Sequence, residues 1–141
     1  MSHQTLKPAE VHARLAAEPD LVFLDVRSVE EFEQGHVPGA YNIPLLFRTN
    51  LGMQPNPAFL AEVEKHFAPG TKLVLGCRSG VRSERACELL AARGYTTLVN
   101  MAGGFHGATD PMGRPVEPGW ASAGFECSLA AAPGRSHAEL R

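Results

Sequence analysis

Cysteine is scarce in this chain: Cys77, Cys87 and Cys127 are the only three in 141 residues, and no pair has C-x-x-C spacing. An odd, dispersed set signals neither a disulfide framework nor a zinc site, and the six histidines are just as scattered. No segment approaches the ~20 consecutive apolar residues of a membrane-spanning helix. Residues 1–10 lack the apolar run of a signal peptide. These absences make a cytoplasmic location the expectation, with no membrane partner, no metal and no cofactor. Charge of one sign is also lacking, since 13 Lys and Arg against 15 Asp and Glu leave a net charge of −2. Without a basic patch the chain has no electrostatic footprint for nucleic acid, which is excluded as a partner.

What is present is ordinary for a globular protein, with 44% apolar and 20% charged residues. The length suits one core of the usual size, expected over residues 1–129, with 130–141 as a mobile tail. Helical and extended segments alternate between glycine and proline punctuation, the pattern of an α/β fold with a parallel sheet. Residues 8–17 read as a short helix, with Val11 and Leu15 four apart, and residues 21–25 (LVFLD) as a buried strand. Ser28 and Glu31 form a capping box for a short helix that stops before Gly35, and residues 41–43 read as a brief strand. Residues 44–57, with Pro44, Gly52, Pro55 and Pro57, read as a long surface loop. Asn56 and Pro57 then serve as N-cap and first-turn proline of a helix lined by Phe59, Leu60, Val63 and Phe67. A strand at 71–76, a helix at about 83–93 and a strand at 96–101 follow, and residues 102–120, rich in glycine and proline, read as an irregular wrap.

Cys77 sits where the strand LVLG gives way to the segment Cys77-Arg78-Ser79-Gly80-Val81-Arg82-Ser83 and its helix. The carboxyl end of a strand is where open α/β sheets place ligands. Unpaired amides and the positive end of the helix dipole face such a position. Gly80 lets the loop curl, and Arg78 and Arg82 add two positive charges. Together these favour the thiolate and would cradle an anionic substrate or intermediate. Asp25 and Arg27, at the end of the first long strand, lie at the same sheet edge and are expected to brace the loop. Cys87 reads as a buried helix residue, and His36 and His106 as structural.

Three motifs taken together resemble single-domain rhodaneses: CRSGVRS from Cys77, LDVRSVEEFEQGHVPGAYNIP from Leu24 and ARGYTTLVNMAGG from Ala92, in the family's order and spacing. The resemblance implies a central, mainly parallel five-stranded sheet flanked by helices on both faces. It also implies a sulfurtransferase in which Cys77 takes a sulfane sulfur as a persulfide from a small anionic donor such as thiosulfate. The sulfur then passes to cyanide, a thiol or a protein acceptor. Arg78, Ser79, Gly80, Val81 and Arg82 would bind substrate, with Ser83, Asp25 and Arg27 in support. An arginine after the cysteine points, within such families, to thiosulfate over mercaptopyruvate. The chain departs from the family in two places. Ala108 stands where many members have a tryptophan, the lone tryptophan being Trp120, and the loop at 45–57 is long, bringing Phe47 or Arg48 toward the pocket.

Two other readings compete. A persulfide carrier or non-catalytic recognition module would share the fold. A phosphatase or arsenate reductase also presents a cysteine in an amide-lined loop, but the tyrosine-phosphatase pattern has five residues between cysteine and arginine and this chain has four. A shorter loop closes a tighter ring of amides, better suited to one sulfur atom than to a tetrahedral oxyanion.

Overall fold

The apolar runs LVF, LVLG and LVNM become the three central strands of a parallel sheet, as continuous hydrophobic runs do when helices cover both faces. The computed structural model describes residues 3–141; Met1 and Ser2, at the start of the stretch read for a targeting signal, lie outside the described residues. In chain order the elements are β1 (Gln4–Leu6), α1 (Pro8–Ala17), β2 (Val22–Asp25), α2 (Val29–Glu33), β3 (Tyr41–Asn42), β4 (Leu46–Thr49) and β5 (Gly52–Pro55). They continue with α3 (Phe59–His66), β6 (Leu73–Gly76), α4 (Val81–Ala91), β7 (Leu98–Met101), β8 (Ala108–Thr109), β9 (Pro115–Glu117) and α5 (His137–Leu140). The five-stranded sheet has the order β1-β7-β6-β2-β3, with every neighbouring pair parallel. One face is covered by α1 and α2, through Val11 and Phe32 against Phe23, Val99 and Met101. The other is covered by α3 and α4, through Phe59, Val63, Ala86 and Leu90 against Leu24, Leu73 and Leu75. The fold is therefore α/β, as the alternation of segments implies.

Four local readings need correction. First, residues 44–57 hold an antiparallel hairpin, β4 paired with β5, in place of an unstructured loop. Its turn depends on Gly52, at φ +94, and on Thr49, whose hydroxyl donates to the Gly52 carbonyl at 2.9 Å and accepts from the Leu51 amide at 3.1 Å. Second, α3 begins two residues later than the Asn56-Pro57 signal suggests, with Ala58 at the N-cap. Asn56 instead caps a turn, accepting from the Ala58 amide and donating through Nδ2 to Pro44 O and Glu62 Oε1. Third, α4 starts at Val81, not Ser83, so the loop is shorter and the helix end nearer the cysteine.

The fourth correction concerns residues 130–141, expected as a mobile tail. Ser136 and Glu139 form a capping box for α5, and His137 and Leu140 are buried. His137 Nε2 lies 3.1 Å from Glu62 Oε2 on α3. The Arg135 guanidinium lies 4.5 Å from the Tyr41 ring centroid and donates to Gly39 O, while the Asn42 amide donates to Arg135 O at 2.9 Å. An apolar anchor, an imidazole–carboxylate contact and a backbone bond to β3 together hold this segment in place. Within 102–120 the chain forms a two-stranded ribbon, β8 with β9, between turns. Trp120 is buried on the α1 side beside His12 and Phe125, with its indole N–H on Glu126 O.

Candidate active site

Strand β6 ends at Gly76, in register with Asp25 of β2. The next residue, Cys77, is 1% exposed, and its Sγ accepts a hydrogen bond from the Gly80 amide at 3.1 Å. Gly80 sits at φ +108, a conformation open to glycine at little cost, and it is the N-cap of α4. The Ser83 hydroxyl in the first turn of α4 lies 3.4 Å from the same sulfur, 3.3 Å from Gly80 O and 2.5 Å from Asn100 Oδ1. Having one proton, Ser83 gives it to the closest acceptor, Asn100, whose Nδ2 donates in turn to Gly80 O at 3.1 Å. The sulfur thus rests over the first turn of α4, where unpaired amides and the helix dipole favour negative charge.

A second segment is bonded to the back of the loop. The Phe105 amide donates to Cys77 O at 2.7 Å and the His106 amide to Arg78 O at 2.9 Å. This approach requires Gly104: a Cβ there would lie 2.3 Å from Cys77 O. Asp25 and Arg27 lie one step further out. Their buried side chains pair at 2.7 Å, Arg27 also donates to Gly35 O, and its guanidinium lies 4.5 Å from the Phe105 ring centroid. Asp25, Arg27, Phe105 and the Cys77 carbonyl thus form one connected bracket.

Arg78 and Arg82, which the sequence reading treats as equivalent charges, are not equivalent in the structure. Arg82 makes a two-pronged pair with Glu31 of α2, at 2.7 and 2.9 Å. The hydrogen bonds that Arg82 donates to Glu31 raise the Arg82 pKa. Burial pushes the Glu31 carboxyl up, but hydrogen bonds from Arg82 and Ser28 outweigh it and hold that carboxyl at about 2. Arg82 therefore contributes little net charge. Arg78 is exposed, with no ion-pair partner among the described residues. Ser79 is half-buried, and Val81 is 73% exposed at the start of α4.

In front of the loop lies a cavity of about 610 Å³ whose lining includes Arg78, Arg82, Glu31 and His106. Burial, then the nearby Arg27 and Arg78, lower the His106 pKa. The opposite wall is the β4–β5 hairpin, with Leu46, Arg48 and Met53 facing inward. Phe47, on the alternate face of β4, lies against His137 instead. Sequence reading missed Glu31 as a charge partner, Asn100 and Phe105, while His106, which follows Gly103-Gly104 near the expected pocket rim, does line the cavity. The legible signal was a lone asparagine inside the apolar strand LVNM. Cys87 is fully buried in α4, and burial, followed by Glu84, Glu88 and Cys77, pushes its thiol up to about 12. His36 is buried, stacked on Phe32, with Nδ1 2.8 Å from Phe32 O.

The Rhodanese-like domain family matches residues 7–110. The chain is 38% identical over 108 residues to Thiosulfate sulfurtransferase 16, chloroplastic, of Arabidopsis thaliana, covering 74% of this chain and 90% of that protein. It is 41% identical over 88 residues to Protein HIGH ARSENIC CONTENT 1, mitochondrial, of the same plant, covering 62% of this chain and 52% of that protein. Among solved structures, Rv0390 from M. tuberculosis superposes with a TM-score of 0.71 at 25% identity, covering 90% of this chain and 98% of that one. Both plant names are organellar, so they lend no support to a cytoplasmic address, while no helix among the described residues is long and apolar enough to cross a membrane. The match over most of the length, together with the shared fold, shows that the chain belongs to the rhodanese-like domain family.

Proposed function

We propose that this protein is a sulfurtransferase that carries sulfur on Cys77. The observation that carries the reading is the sulfur's position at the end of β6, held by the Gly80 amide over the first turn of α4, in the loop whose next residue, Arg78, lines the cavity. A relative named a thiosulfate sulfurtransferase, similar over 90% of its length, supports the same reaction type. In the first half-reaction the Cys77 thiolate attacks the outer sulfur of thiosulfate. The S–S bond of the donor breaks, its electron pair leaves with sulfite, and Cys77 becomes a persulfide anion. In the second, an acceptor thiolate or cyanide attacks the terminal sulfur and the electron pair returns to Cys77.

In this reading Arg78 neutralises the donor's sulfonate, and the Gly80 amide and the end of α4 stabilise the anionic persulfide. Ser79, Val81 and Arg82 shape the loop, Arg82 through Glu31. Ser83, Asp25 and Arg27 support it from behind, and a cytoplasmic location remains part of the proposal. The test is intact-mass measurement after incubation with thiosulfate, which should show one added sulfur that a thiol reductant removes. Arg78→Gly should lower efficiency with thiosulfate about ten- to hundredfold, from the loss of one charge-assisted contact. The loss with the singly charged 3-mercaptopyruvate should be smaller. Equal losses would show that Arg78 does not select the donor.

The name of the mitochondrial relative keeps one rival in view. Arsenate reduction by the protein with a thiol reductant, without any persulfide on Cys77, would replace sulfur transfer as the reading.

A further inference from the structure

The cavity is larger than the proposed chemistry at the sulfur requires. Its volume of about 610 Å³ lies within the range of sites that enclose a small organic ligand, whereas cyanide and thiosulfate have only a few atoms each. Its charges do not cancel. Glu31 and Arg82 neutralise one another, and burial with the nearby Arg27 and Arg78 disfavours a charge on His106. Arg78 on the loop wall and Arg48 on the hairpin wall remain, neither with an ion-pair partner among the described residues.

Arg48 is placed by strand geometry. Alternate residues of a strand share a face, so Leu46 and Arg48 point the same way, and Met53 pairs directly with Arg48 across the hairpin. These three line the cavity together. The hairpin wall therefore offers one cation between two apolar side chains, on the side away from the residue assigned to the sulfonate.

Resting on the sulfurtransferase reading, we infer that Arg48 is a specificity-determining residue for the acceptor. It binds the carboxylate of an organic thiol whose aliphatic stem lies along Leu46 and Met53. The step is the second half-reaction: the acceptor thiolate attacks the terminal sulfur of the Cys77 persulfide, the S–S bond breaks with its electron pair returning to Cys77, and the acceptor leaves as its own persulfide. Arg48 takes no part in the bond changes. It raises the occupancy of anionic thiols.

The experiment uses persulfide-loaded protein and three acceptors, 3-mercaptopropionate, 2-mercaptoethanol and cysteamine, with wild type, Arg48→Gln and Arg48→Lys. Comparing variants cancels the different intrinsic nucleophilicities of the thiols. For Arg48→Gln, kcat/KM with 3-mercaptopropionate should fall about tenfold, mainly through KM, as loss of one charge-assisted contact would give. The neutral thiol should change less than about twofold and cysteamine should improve. Arg48→Lys should retain most of the preference. An equal fall with all three thiols, or no fall with the carboxylate, would overturn the inference. Loading from thiosulfate is read by mass for every protein, and acceptor rates are compared on protein loaded to the same extent. Failure of wild type to load would instead refute sulfur transfer itself, so the two failures are distinguishable.

Discussion

The two walls of the cavity are built on opposite plans. The Cys77 loop is fixed from several directions: to α4 through Gly80, to β7 through Asn100, and to the 103–107 turn through backbone bonds from Phe105 and His106. The hairpin is held at its base, where Leu45 N donates to Val26 O and Asn56 N to Leu45 O, and on one face by Phe47 against His137. Its second strand is exposed throughout, and Leu51 at the tip is 86% exposed. Chemistry that needs a sulfur held within a few tenths of an ångström belongs on the first wall. Selection among ligands tolerates the second, because loops on a rigid scaffold can vary without disturbing the core.

The largest expected effect lies on the fixed wall. Cys77→Ser should abolish transfer from thiosulfate to cyanide, while Cys87→Ser and Cys127→Ser keep most of it. Cys87 is a poor substitute because its thiol, pushed up to about 12, is protonated at neutral pH. Substantial turnover in Cys77→Ser would remove the basis for placing the chemistry there.

A paired substitution tests the contrast in rigidity. Gly104→Ala puts a methyl 2.3 Å from Cys77 O, against backbone that cannot swing aside. It should cost about 1–3 kcal/mol or more in stability and lower transfer at least tenfold. Gly52→Ala in the hairpin also sits at positive φ, at +94, but meets nothing within 4 Å. It should cost roughly 1 kcal/mol, with transfer to cyanide nearly unchanged. Similar losses for both in urea unfolding would erase the distinction between the walls.

A smaller effect, dependent on pH, concerns the Glu31–Arg82 pair. The Glu31 carboxyl is held at about 2 against an ordinary 4.5. Its ionised form therefore adds stability above pH ~4.5, and that contribution is lost as pH falls toward ~2. The amount is about 2–3 kcal/mol. Glu31→Gln should accordingly unfold at lower urea than wild type at pH 6, with the gap shrinking by about half at pH 3. A gap independent of pH would mean that the pair's ionisation contributes nothing.

How much of this was legible follows from which signals were local. Pro8, with Val11 and Leu15 behind it, marks α1 at its observed bounds, and Ser28 with Glu31 marks α2 through a capping box that the structure contains. The central strands and the Cys77 turn are equally local. Strand β1 is not: Gln4, Thr5 and Leu6 have no apolar alternation, and only pairing with β7, over ninety residues away, makes them a strand. Proline-rich composition concealed the hairpin, where Pro55 ends β5 opposite Leu46 and costs no central hydrogen bond. The tail did carry a signal, the Ser136-x-x-Glu139 box, but it lies in a chain-terminal segment, where poor order is the general expectation. In the site, the neutralisation of Arg82 by Glu31 spans 51 residues and no spacing rule announces it.

The bond from the Asn42 amide to the Arg135 carbonyl has a consequence for solubility. An open sheet has two edges, each a row of unpaired backbone groups that invites edge-to-edge association. Here both edge strands are short, three residues in β1 and two in β3, and the β3 edge is further covered by the segment around Arg135. The last dozen residues thus act as a guard strip along that edge. A chain cut before residue 130 would keep the Cys77 loop but leave β3 uncovered, and self-association at high concentration should be its first symptom.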